Sequence, residues 1–208
     1  DYLILTSDRL PDLQGEHGLY RAFKERFPTL GCARVHDVGQ AWVQHAAWYH
    51  VLLNPEAAGN REIQQQLIHL RDHFPGMSPL TLGLYRNLMQ GLITRDEFVN
   101  VAHLVQTMSL RRALVGLDRD LGLASTLCRS MQAGLPGLIE AMMTRTPEDP
   151  QVRVALRLGL PLAGYVLQRL QGVSSLAGLQ VEHIHPQTPG PVGFRRARRG
   201  HHRLCRAQ

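Results

Sequence analysis

The sequence predicts a mainly α fold, with a multi-helix domain over residues 1–172 and a segment of different character over 173–208. Three observations predict it. Apolar residues recur at three- and four-residue spacing from about residue 15 to residue 172, the period at which residues share one face of an α-helix. Prolines and glycines punctuate the pattern at helix-length intervals. With 44% hydrophobic residues in 208, the chain also has the material for a buried core.

Taken in order, residues 2–6 are expected to form a short strand. Leu19, Phe23 and Phe27 then recur at four-residue spacing, and Pro28 stops the helix they mark. Trp42, Val43, Ala46, Tyr49 and Leu53 mark a second helix over about 38–53, closed by Asn54-Pro55. Ile63, Leu67, Leu70 and Phe74 make a third stripe ending at Pro75-Gly76, and Leu80, Leu84 and Leu88 a fourth ending near Gly91. The next start is the best marked. Thr94-Arg95-Asp96-Glu97 is a capping box, in which hydroxyl and carboxylate each take a backbone N–H that a helix start leaves open, and Phe98, Val101, Val105 and Met108 follow on one face. Further helices are expected near 121–132, 136–143, 150–158 and 161–171, with Pro136, Pro150 and Pro161 in first turns, where proline loses no hydrogen bond. A second strand is expected at 179–184. No repeat at a fixed period occurs, and the last 20 residues are rich in Arg, Gly and Pro without periodicity.

Composition narrows the function classes. The longest charge-free run, 38–55, carries Gln40, Gln44, His45, His50 and Asn54, which a hydrocarbon core does not accept in a spanning helix of about 20 apolar residues, so no membrane partner is expected. The chain begins at Asp1 without a basic segment leading into an apolar one, and is expected to start inside a longer protein. Cys32, Cys128 and Cys205 lie far apart in no paired spacing, which fits reduced thiols in a cytoplasm and offers no two-by-two cysteine zinc motif. Of the net charge of +6, six arginines fall within 195–208 beside no acid, so the rest of the chain carries as many basic as acidic residues. A DNA footprint spread over the whole body is therefore not indicated by charge.

Chemistry concentrates in Glu182-His183-Ile184-His185-Pro186-Gln187. Metal-dependent phosphodiester cleavage needs a donor that holds a divalent ion on the scissile phosphate and a neighbouring imidazole that takes a proton from water. Consecutive strand residues point to opposite sides, so Glu182 and His183 serve both tasks only where the backbone bends, as ahead of Pro186. The competing reading is a polar surface loop that happens to contain histidine.

The stretch LQVEHIHPQTP resembles the opening of the HNH nuclease module in modification-dependent restriction enzymes of the GmrS/GmrD kind, a family that includes SspE-like proteins. LAGYVLQRLQG is similar to the helix that precedes that strand, and ITRDEFVNVAHLVQTMSLRRALVG to the helix and double arginine of the family's middle region, so the resemblance runs from about residue 19 to 189. It implies a mainly α fold followed by an incomplete HNH (ββα-metal) segment in 173–208. It also implies His183 as general base, Glu182 as a metal-side carboxylate, and magnesium or manganese as the ion of the intact nuclease. The implied partners are DNA, possibly modified, and an upstream nucleotide-handling domain of the same protein. The implied role is anti-phage restriction by a cytoplasmic bacterial endonuclease.

The sequence departs from the family in three places. Residues 184–208 contain no Asn, the family's Asp-Gly-Gln-Gln-Arg type string is absent, and His185 stands where the family has an apolar residue. The fragment itself is expected to be inactive, and residues 190–208 to be a non-native or unordered tail. The reading from another class is a helical interaction or regulatory module whose EHIHPQ loop is incidental and whose tail binds acidic partners.

Other candidates are weaker. Arg111-Arg112 reads either as a phosphate or signalling contact or, in preference, as packing in which one arginine pairs with Asp118 or Asp120. His69 and His73 stand four apart without the glutamate of a metalloprotease motif, and with His36, His45, His50 and His103 they read as ordinary histidines. Trp42, Trp48 and Tyr49 read as core in preference to a base-stacking platform. His201, His202 and Cys205 could join Glu182 or His185 around a metal, though the spacing fits no ligand template. Cys128 has no matched histidine, and no Gly-rich phosphate loop occurs.

Overall fold

Residues 79–85, Pro-Leu-Thr-Leu-Gly-Leu-Tyr, are apolar or small on every side, and a helix with no polar face has to sit inside. In the computed structural model, which describes residues 1–6, 18–27, 32–118, 122–159, 162–171, 179–183 and 202–206, all seven are buried. They belong to a helix, Ser78–Met89, around which the first of two compact units, Asp1–Val154, is built; the second is Ala155–Gln208.

The helices of the first unit are α1 (Tyr2–Thr6), α2 (Gly18–Arg26), α3 (Cys32–Leu53), α4 (Arg61–His73), α5 (Ser78–Met89), α6 (Arg95–Leu114), α7 (Leu123–Met131) and α8 (Gly134–Met143), with 3₁₀ turns at Pro55–Ala58 and Pro75–Met77. A further helix, α9 (Asp149–Leu158), spans the division between the units. The helices expected as far as residue 158 therefore form, the chain is mainly helical, and Pro161, expected in a first turn, lies outside the described residues.

α5 packs against α1, α3, α4, α6 and α7. Its Gly83 is where two neighbours come closest: a Cβ there would meet the side chain of Met131 on α7 and lie 2.7 Å from Leu5 Cδ1 on α1. Gly91, at φ 70°, ends the helix in the left-handed conformation that glycine adopts without steric cost, and Leu92 N–H donates to the Asn87 carbonyl at 2.9 Å.

Caps act where the sequence places them. Asn60 Oδ1 accepts from the backbone of Glu62 and Ile63 at the start of α4. The Thr94–Glu97 box closes both ways at the start of α6, at 3.2 and 2.7 Å. Behind it Phe98, Val101, Ala102, Val105 and Met108 are buried. Phe98, Val101, Val105 and Met108 each contribute about 1.5–3 kcal/mol by leaving water, and together they exceed what the cap adds.

Residues 2–6 are a correction. They form a helical turn, not the expected strand, with Leu5 N–H donating to the Asp1 carbonyl at 2.9 Å. Leu3 and Leu5 are both buried, and the turn packs on α5 and α7. A strand needs a ladder partner, and none of the described residues of this unit is in a strand.

A side-chain hydrogen bond links two buried polar residues of α4 and α6. Gln106 Nε2 on α6 donates to Gln66 Oε1 on α4 at 2.8 Å, with both side chains buried. Removing one partner strands the other in a medium without water. Gln106→Leu is expected to lower the unfolding free energy by about 1–3 kcal/mol, and adding Gln66→Leu to recover part of that loss. Urea denaturation of the two singles and the double checks this; strictly additive losses would show that the pair is not coupled.

In the second unit, α10 (Ala163–Gln171) lies against β2 (His202–Arg206), which pairs antiparallel with β1 (Leu179–His183). The register is Leu179 with Arg206, Gln180 with Cys205, Val181 with Leu204, Glu182 with Arg203 and His183 with His202. The strand expected at 179–184 thus forms over its first five residues. Its partner comes from within the basic stretch, where the sequence carries no strand signal. The units divide at Val154, ahead of α10, whereas the composition changes after Gly172.

Candidate functional site

Glu182 and His183 are the last two residues of β1. Glu182 shares a register position with Arg203, and His183 with His202. The ladder therefore brings an acidic and a basic residue together at one position and two histidines at the next. His185 and His201 lie outside the described residues. Cys205 stands opposite Gln180, three register positions from the His183 end, so the pairing does not gather Cys205 with Glu182 and His202.

Both arginines make packing contacts at the end of α6; Asp120, one of the two acids expected as a partner, lies outside the described residues. Arg111 Nη2 donates to Asp149 Oδ1 at 2.6 Å and its Nε to the Pro147 carbonyl at 2.8 Å. The buried Arg112 donates from Nη1 to the Arg145 carbonyl at 3.1 Å. Two cations in the last turn of α6, favoured there by the helix dipole, thus hold the 145–149 connection between α8 and α9. The acid that Arg111 meets is Asp149, because that connection folds back over the end of α6.

The remaining candidates separate by burial. Burial pushes the Cys128 thiol up to about 12, against the opposing charges of Arg86 and the chain's amino group, so no thiolate nucleophile forms there near neutral pH. His69 is buried, and its ring stacks with His73 at 6.3 Å between centroids. Among the described residues, no three His, Cys, Asp or Glu side chains come together as a metal-binding group. Trp48 is buried, as expected of core.

Trp42 and Tyr49 do something else. With Tyr2, Leu3, Tyr20, Phe23, His45, Ala46 and Leu82 they line a cavity of about 700 Å³. Trp42 packs edge-on to Phe27 and tilted to Phe23, both at 5.6 Å. His45 meets Tyr2 at 4.8 Å and Trp48 at 4.9 Å. Its Nδ1 lies 2.8 Å from the Ala41 carbonyl, which can only accept, so Nδ1 carries the hydrogen. Burial, together with the Arg86 charge, holds the imidazole below its ordinary pKa despite that bond, so it lines the cavity as a neutral ring. Lys24 Nζ stands 5.9 Å over the Tyr20 ring, and the Arg26 guanidinium 5.6 Å over Phe27. Sequence reading missed this site because its rings come from three helices. The available signal was the alternation of aromatic and basic residues in Tyr20-Arg21-Ala22-Phe23-Lys24-Glu25-Arg26-Phe27.

Compared with protein-family models, curated proteins and solved structures, the chain matches none. No helix among the described residues is long and apolar enough to cross a membrane.

The Arg111–Asp149 pair has a pH signature. The guanidinium's hydrogen bond, and then its charge, hold the Asp149 carboxyl below its ordinary value. A depressed carboxyl stabilises the fold above the unfolded pKa of about 3.9 and loses that contribution as pH falls through the folded value. Wild-type stability is therefore expected to drop on acidification below about pH 4, and Asp149→Asn to flatten part of that drop. Thermal unfolding at stepped pH checks it; parallel curves for the two proteins would remove the pair from the account.

Proposed function

We propose that the chain is part of an anti-phage DNA restriction protein whose intact form nicks or cleaves foreign or modified DNA at an HNH site. The observation that carries this reading is the β1–β2 ladder. An HNH module opens with a strand ending in its first histidine and follows it with a second strand; here β1 ends in Glu182-His183, and β2 pairs with it antiparallel. The resemblance of LQVEHIHPQTP and of the double-arginine helix, in that order, is the second support.

In this reading His183 is the general base that takes a proton from the attacking water, and Glu182 offers a carboxylate on the metal side. The donor chemistry fits only in part. Glu182 is a hard oxygen donor suited to magnesium or manganese, but residues 184–208 contain no Asn and no Asp or Glu to join it. A bound divalent ion in the intact nuclease supplies positive charge to the phosphate oxygens. The helical first unit would serve as a spacer and transmitter between an upstream nucleotide-handling domain and the nuclease, with Arg111 and Arg112 keeping its last connection in place.

A plasmid nicking assay with Mg²⁺ or Mn²⁺ tests this on the intact protein that contains the chain. His183→Ala is expected to lower cutting by at least about 100-fold, the scale of a lost general base, with an unchanged helical circular dichroism spectrum. Equal cutting by both proteins would leave the EHIHPQ stretch incidental and favour a helical interaction module.

A further inference from the structure

The cavity between α1, α2, α3 and α5 belongs to the first unit and has no part in the chemistry assigned to Glu182 and His183. Three of the chain's five tyrosines and one of its two tryptophans line it, a concentration that calls for a reason. Core formation alone does not supply one. A core buries its rings, as this chain does with Trp48 and Tyr85, whereas Tyr20 is 63% and Tyr49 37% exposed.

Volume and charge narrow the occupant. About 700 Å³ lies within the ~300–1,000 Å³ typical of small-molecule sites. The walls are flat rings, a neutral imidazole and aliphatic side chains, a surface that takes up a planar, largely uncharged ring system by stacking. Two cations stand near the wall among the described residues. Lys24 stands over Tyr20, and the half-buried Arg86 lies within electrostatic range of His45; neither has a carboxylate partner among the described residues. Among the described residues of the wall the one acid, Asp1, is engaged by the Ser78 hydroxyl at 2.5 Å. A planar ring bearing an anionic group satisfies both halves of the site.

We propose that this cavity binds a nucleotide, its base stacked among Tyr20, Trp42 and Tyr49 and its phosphate attracted by the charge of Lys24 beside Tyr20. Aromatic faces accept any base, and the tyrosine hydroxyls can hydrogen-bond a base edge, so the site selects the chemical class and not the sequence. The ligand is a free nucleotide or one residue of a single strand. The proposal goes beyond the nuclease reading and does not depend on it, because its residues lie in the first unit and His183 in the second.

The test is a titration of the 208-residue chain with deoxyadenosine monophosphate and, separately, with a fluorescein-labelled ten-residue oligothymidylate and a blunt duplex of the same length. Tryptophan quenching and anisotropy are the readouts. Tyr20→Ala and Tyr49→Ala are each expected to weaken binding about tenfold, the scale of one lost stacking partner, and Lys24→Glu to weaken it further at low salt, with the helical spectrum unchanged. Lys24 is exposed, so that variant keeps the test open should a tyrosine variant unfold. Saturable binding of the mononucleotide assigns a free nucleotide, whereas binding of the oligonucleotide alone assigns a single strand. Absence of binding by both at millimolar concentration overturns the proposal. So does binding that ignores all three variants or prefers the duplex, because the arginines of 195–208 would then account for it.

Discussion

The complete burial of α5 is the constraint on which the first unit depends. A helix with no polar face satisfies its backbone internally but leaves its whole apolar surface to be covered, and one neighbour cannot cover it. Five helices do so here. The demand explains features that look unrelated along the chain. Residues 2–6 are helical because they close one side of α5, Gly83 is glycine because α1 and α7 both approach there, and the α4 and α6 stripes face inward from another side.

Polar groups in such a core act as constraints on register more than as sources of stability. The Gln66–Gln106 bond is worth only about 1 kcal/mol net, less than one of the leucines around it. Its cost when broken is what matters, because sliding α6 along α4 would break that bond away from water. Arg111 and Arg112 play the corresponding part at the edge. Their forked donors reach two backbone carbonyls and one carboxylate, a geometry that lysine cannot reproduce.

The second unit follows another logic. Its strands contribute register, and register decides which residues meet: Glu182 with Arg203, His183 with His202. Neither pair follows from the EHIHPQ stretch alone, since the partners lie some twenty residues away. The two candidate sites are thus of different kinds. One is a short motif made specific by pairing; the other is a set of rings without a motif, made into a cavity by packing.

The helices were legible in the sequence because their signals are local. Periodic apolar residues, the Thr94–Glu97 box and the Pro–Gly breaks each act within a few residues, and the structure follows them from α2 to α10. The strand at 179–183 was legible for the same reason. Residues 2–6 were not, since five apolar residues suit a buried strand or a buried helical turn equally, and only the packing on α5 separates them. Nor could the sequence identify the acid that Arg111 meets, the partner of β1, or the meeting of Tyr2, Tyr20, Trp42 and Tyr49 around one space. The sequence by itself determined where the helices run, where they stop and which residues carry chemistry, because propensity, capping and periodicity are short-range. Tertiary structure alone decided which of those residues meet, because contacts between distant segments depend on how the apolar faces find cover.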